Sequence, residues 1–161
     1  MDETLKKVSQ ALWHMFARQS TRALALGCAY DDIALWEKLG VQAILAVDAD
    51  PAVIDAVTNA ARQCQVDACV CDVTSSDAWA MHISETFDAV SCMILQSVPE
   101  DRIEPLLERV VSVLRQGGVF FGTTTVEMFN TVDRLASSAG LTRIWTRHDN
   151  GCCAFTFVHR S

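Results

Sequence analysis

Residues 87–124 read FDAVSCMILQSVPEDRIEPLLERVVSVLRQGGVFFGTT, and the fold turns on this stretch. The apolar run Phe87 to Met93 predicts a buried strand. Ile103, Leu106, Leu107, Val110, Val111 and Leu114 then recur at helical spacing along one face. Pro99 and Glu100 open that helix, and Gly117-Gly118 close it. Val119 to Thr124 forms the next apolar run. Two apolar strands joined by an amphipathic helix pack as a parallel pair with a crossover.

The same unit recurs upstream. Ala23 to Leu26 is a short apolar run ended by Gly27, and Asp31 and Asp32 can cap a helix that stops at Gly40. Val41 to Val47 is apolar almost throughout, as a strand covered on both faces would be. Asp50 and Pro51 then open a helix with Val53, Val57, Ala60, Ala61 and Cys64 on one face. A third strand is predicted over Ala68 to Val73, and a loop with a short helix over 74–84. Downstream, a helix runs from Glu127 to Ala139. Strands Thr142 to Arg147 and Ala154 to His159 flank the hairpin signal Asp149-Asn150-Gly151. Leu5, Val8, Leu12 and Phe16 mark an amphipathic N-terminal helix over residues 1–19. The expected order is therefore a helix, five strand–helix units, and two paired strands.

The chain has 161 residues, half of them hydrophobic and 20% charged, which suits one globular domain. Thirteen Lys and Arg against twenty Asp and Glu leave a net charge of −7, which disfavours nucleic-acid binding. No apolar run reaches the roughly 18–20 residues of a membrane helix, and residues 1–7 lack a signal-peptide stretch. The spacings of the seven cysteines match neither zinc knuckles nor redox motifs, so they read as small hydrophobes in a reducing cytoplasm. His14, His82, His148 and His159 are scattered, and no metal site is expected.

This order resembles the class I S-adenosylmethionine-dependent methyltransferase family. The resemblance rests on Phe87-Asp88-Ala89-Val90, on Met93 to Pro99, and on Leu114-Arg115-Gln116-Gly117-Gly118, where Gln116 replaces the usual proline. It covers nearly the whole chain and implies a single methyltransferase-like domain over 1–161, with its core at 21–160. The implied fold is α/β and Rossmann-like. Its seven-stranded, mostly parallel sheet carries helices on both faces and an antiparallel hairpin at the edge, with strand seven inserted antiparallel.

The resemblance also implies a cofactor site outside the carboxyl ends of the first, second and fourth strands. Gly27, Cys28 and Ala29 would form the loop after the first strand. Asp48, beside Ala49, would accept the ribose hydroxyls of a bound adenosine, as only an acceptor-rich carboxylate can. Asp72 would accept the adenine amino group, Val73 would offer its N–H, and Cys92 would line the other side. Tyr30, Gln96, Ser97 and Glu127 are the substrate-side candidates. Direct methyl displacement needs alignment more than a base, so no catalytic residue is assigned.

The loop Ala25-Leu26-Gly27-Cys28-Ala29-Tyr30-Asp31 departs from the family's acid followed by Gly-x-Gly-x-Gly. Asp31 would repel the cofactor's carboxylate unless it turns away as a helix cap. Two readings follow. One is an enzyme that binds S-adenosylmethionine, weakly or slightly displaced, and methylates a small molecule or a protein. The other is a catalytically inactive, partner-binding or regulatory subunit that has lost the cofactor. A homo-oligomer or a partner subunit could complete the shallow pocket of so small a core.

Overall fold

The computed structural model describes residues 22–28, 33–34, 36–37, 40–60 and 64–160. The helix expected over 1–19, and the candidates Ala29, Tyr30 and Asp31, lie outside them. Seven strands form one sheet: β1 Arg22–Leu26, β2 Ala43–Asp48, β3 Gln65–Val70, β4 Phe87–Cys92, β5 Leu114–Thr125, β6 Leu141–Asp149 and β7 Cys152–His159. Their order is β3-β2-β1-β4-β5-β7-β6. Neighbours pair in parallel up to β5, and β7 lies antiparallel between β5 and β6. This is the expected α/β sheet with strand seven inserted.

Four helices connect the strands: α1 Pro51–Asn59, α2 Ser76–His82, α3 Glu100–Val113 and α4 Val126–Ser138. Residues 33–34 and 36–37 are also helical, where the sequence places a helix after β1. Asp50 caps α1 by accepting from the Ala52 N–H at 2.9 Å, and Pro51 takes the first turn, as predicted. In β1, Leu24 and Leu26 point to one face of the sheet and Ala23 and Ala25 to the other. The first face packs on α2, α3 and α4 through Trp79, Ile103, Leu106, Leu107, Phe129 and Val132. The second packs on α1 and on Ile33 and Trp36.

Several predicted boundaries move, and two of the shifts have a plain physical cause. β3 ends at Val70 rather than Val73, because Asp72 turns its carboxylate onto the chain ahead of it and takes the backbone out of the ladder. β5 begins at Leu114 rather than Val119, so Gly117 and Gly118 lie inside the strand and do not close α3. The register against β4 slips there: Phe87 faces Leu114, while Ala89 faces Val119. The extra residues bulge out, helped by Gly117 at φ +77°. A Cβ on Gly118 would stand 2.9 Å from the Asp88 carbonyl, so the bulge needs glycine there too. Asp88 holds the junction, pairing with Arg115 at 2.8 Å and accepting the Arg22 N–H at 3.0 Å. At the hairpin tip, Asn150 (φ 46°) and Gly151 (φ 78°) form the left-handed two-residue turn that the sequence signals.

Cys69, Cys71, Cys92, Cys152 and Cys153 carry free thiols. Cys28, Cys71, Cys92 and Cys153 are buried, Cys64 and Cys69 half-buried, and Cys152 exposed.

Gly122 faces Cys92 across the β4–β5 pairing, where a side chain has no room. A Cβ there would lie 2.1 Å from the Cys92 carbonyl oxygen and 3.0 Å from the Phe155 ring. Gly122→Ala is therefore expected to cost about 3 kcal/mol, the upper part of the usual overpacking range, read as a lower urea midpoint at unchanged m-value. A midpoint within error of the parent would show that the strands separate without penalty.

Candidate functional site

The sheet order reverses direction between β1 and β4, and an open α/β sheet leaves a crevice outside the carboxyl ends of such strands. Gly27 follows the last residue of β1; its N–H donates to the Val47 carbonyl at 2.8 Å and its φ is +67°. β2 ends at Asp48, and the Asp48 carbonyl accepts the Cys71 N–H at 2.9 Å, which ties the loop after β3 to the tip of β2. Beyond β4 the chain bends at Ile94 into a single 3-10 turn, Leu95–Ser97.

A cavity of about 130 Å³ opens among these ends. It is lined by Asp48, Ala49, Asp72, Val73, Ile94 and Ser97, with Cys71, Thr74 and Val98 completing the wall. Four of the predicted cofactor residues and one of the predicted substrate-side residues thus meet in one place. Ile94, Thr74, Cys71 and Val98 were not singled out from the sequence. An apolar residue one step beyond an apolar strand reads as more core, and only the bend after β4 turns Ile94 toward the cavity.

Both carboxylates are held by backbone ahead of them. Asp48 Oδ1 accepts the Asp50 N–H at 2.8 Å. Asp72 Oδ1 accepts the Thr74 hydroxyl at 2.7 Å and the Thr74 N–H at 2.9 Å. The Thr74 hydroxyl first, then its N–H, and to a smaller degree the Arg102 charge hold the Asp72 carboxyl below the usual carboxylate range. In each case Oδ2 has no partner among the described residues. The Val73 carbonyl accepts the Trp79 indole N–H at 2.6 Å, while its own N–H has no partner among the described residues.

This donor and acceptor set fits an adenosine: two free carboxylate oxygens and one free backbone N–H border an otherwise apolar space. The volume is below the roughly 300 Å³ at which ligand pockets usually begin, so it suits part of a cofactor.

Other predicted residues lie elsewhere. Cys92 is fully buried in the core under α3 and α4, its thiol pushed up to about 12 by burial, so its side chain does not line the crevice as expected. The parity of β4 sends it inward. Cys28 is 4% exposed and packs with Ile33 and Trp36 on the other layer. Gln96 is exposed, and its side-chain amide donates to the Met93 carbonyl at 3.0 Å. Glu127 is exposed on the first turn of α4 and is not part of the cavity wall. Among the described residues no three His, Cys, Asp or Glu side chains gather as a metal site, and no helix is long and apolar enough to cross a membrane.

Replacing Thr74 by Val removes the hydroxyl donor and keeps the N–H, so the Asp72 carboxyl is expected to titrate closer to ~3.9. The sign follows from the folded value lying below the unfolded one. The contribution to stability is complete above ~3.9 and is lost as pH falls through the folded value, and the substitution shrinks that acid-side loss. Carboxyl-carbon NMR titration of both proteins checks this; an unchanged midpoint would remove Thr74 as the cause.

A family model described as a methyltransferase domain matches residues 23–118, more than half of the chain. No curated protein matches the sequence. Among solved structures, the fold is similar to an S-adenosylmethionine-dependent methyltransferase from Clostridium acetobutylicum (TM-score 0.79, 10% identity), covering 100% of this chain and 93% of that one. It is also similar to the N-methyltransferase NodS from Bradyrhizobium japonicum in complex with S-adenosyl-L-homocysteine (TM-score 0.74, 15% identity), covering 99% and 88%. A TehB-like S-adenosylmethionine-dependent methyltransferase from Corynebacterium glutamicum matches at TM-score 0.70 and 17% identity, covering 99% and 100%. At such identities the likeness is one of fold.

Proposed function

The chain belongs to the methyltransferase domain family, and from that membership we propose that it is an S-adenosylmethionine-dependent methyltransferase acting on a small molecule or a protein. The observation that carries this reading is the cavity lined by Asp48, Asp72 and Val73, in which one oxygen of each carboxylate and the Val73 N–H have no partner among the described residues. Bound S-adenosylmethionine supplies an electrophilic methyl group on a sulfonium.

The chain's own part is to bind and orient. Asp48 Oδ2 accepts from the ribose hydroxyls, and its other oxygen, fixed by the Asp50 N–H, keeps the carboxylate from swinging away. Asp72 Oδ2 accepts from the adenine amino group, while its other oxygen is held by the Thr74 hydroxyl and N–H. The Val73 N–H donates to the ring. Gln96 and Ser97, in the turn beyond β4, flank the face from which an acceptor approaches. No side chain is required as a base unless the acceptor must first lose a proton.

The net charge of −7 favours a small or protein acceptor over a phosphate backbone. Free thiols at Cys69, Cys71, Cys92, Cys152 and Cys153 fit a reducing, cytoplasmic setting.

Isothermal titration with S-adenosylhomocysteine tests the assignment. Asp48→Ala is expected to weaken binding about 10–100-fold, the worth of hydrogen bonds to a charged group. If the parent shows no heat at millimolar ligand, the reading of a non-catalytic, partner-binding subunit replaces this one.

A further inference from the structure

Ile94 does two things at once. It lines the cavity that holds Asp48 and Asp72, and it packs directly on Gly27. A Cβ built on Gly27 would lie 2.2 Å from Ile94 Cγ2, 2.8 Å from Cγ1 and 3.0 Å from Cβ. The isoleucine therefore fills the space that the glycine leaves open at the end of β1. The same side chain is one of those that line the cavity of about 130 Å³.

The strand tips run in the order β3, β2, β1, β4. Asp72 and Val73 lie beyond β3, Asp48 ends β2, Gly27 follows β1, and Ile94 lies beyond β4. In a nucleoside the base and the 5′ carbon leave the sugar on opposite sides of the ring oxygen. A base over the β3 loop with its ribose on Asp48 thus sends the 5′ substituent toward β1, where Ile94 rests on Gly27.

We propose that Ile94 decides how much of the cofactor is held. Seated on Gly27, it admits adenosine and excludes the amino-acid arm; moved off the glycine, it admits both. The inference rests on the assignment of adenosine to Asp48 and Asp72 made above. Two features suit Ile94 to the role. It is half-buried at the bend that enters the 3-10 turn, so the core does not lock it on every side. Branching at Cβ leaves few χ1 wells, so the side chain switches between positions rather than sliding.

Calorimetric titration of the full chain with adenosine and with S-adenosylhomocysteine tests this, because the first ligand reads the cavity alone and the second reads cavity and arm. Ile94→Ala is expected to tighten S-adenosylhomocysteine relative to adenosine about tenfold or more, as when an open state populated below about 10% becomes the resting one. An unchanged ratio of the two affinities in a folded Ile94→Ala protein overturns the proposal. Should that variant not fold, Ile94→Val is read instead: a shift of the ratio in the same direction supports the proposal, and an unchanged ratio overturns it. If the parent chain fails to bind even adenosine at millimolar concentration, the assignment of Asp48 and Asp72 falls, and the role of Ile94 with it. A sound assignment with a misjudged Ile94 gives a different result: adenosine binds, Asp48→Ala loses it, and Ile94→Ala leaves the ratio alone.

Discussion

Parallel pairing of β1 with β2 on one side and β4 on the other is the constraint on which the rest of the molecule depends. β1 has five residues, four of them wholly buried, and covers both faces of the sheet with alternating Ala and Leu. Small residues at 23 and 25 let the layer carrying Ile33, Trp36 and α1 come close, while Leu24 and Leu26 fill the thicker layer beneath α2, α3 and α4. Because the chain leaves β1 toward β2 and later returns to β4, the crossovers diverge at its carboxyl end. The crevice follows from that divergence, and Asp48, Asp72 and Val73 line the cavity in it.

Charge at the rim is organised locally. Asp48, Asp50 and Asp72 each fold a carboxylate oxygen onto a backbone N–H two residues ahead. Such contacts end a strand or start a helix, and for Asp48 and Asp72 they also fix the direction of the remaining oxygen. One side chain thus serves two purposes: Asp72 shortens β3 and also lines the cavity, next to Val73. A carboxylate that only capped a turn would satisfy the local chain equally well. What distinguishes Asp48 and Asp72 is that loops from different strands bring them to the same wall.

Element type and order were legible because burial imposes a period. The face of α3, the Asp50-Pro51 start of α1 and the Asn150-Gly151 tip each carry a local signal strong enough to read alone. Boundaries were less legible where long-range contacts decided them. Nothing near Gly117-Gly118 says that the strand has already begun at Leu114; that depends on pairing with Phe87 and on Asp88 bridging Arg115 and Arg22. The inward turn of Cys92 and the packing of Cys28 on the second layer depend on strand parity and on which helix covers which face.

The sequence by itself determined an α/β alternation, a hairpin at the end, two acids at strand tips and a glycine where backbone must turn with positive φ. These follow from residue chemistry and short-range spacing, which a linear string carries. Only the tertiary structure decided that the two acids share a cavity, that Thr74 tunes one of them, and that Ile94 closes the space above Gly27. Ile94 and Gly27 lie on different strand–loop units and meet only because β1 and β4 are neighbours in the sheet. Their proximity is fixed by the order of the strands, which no local pattern encodes.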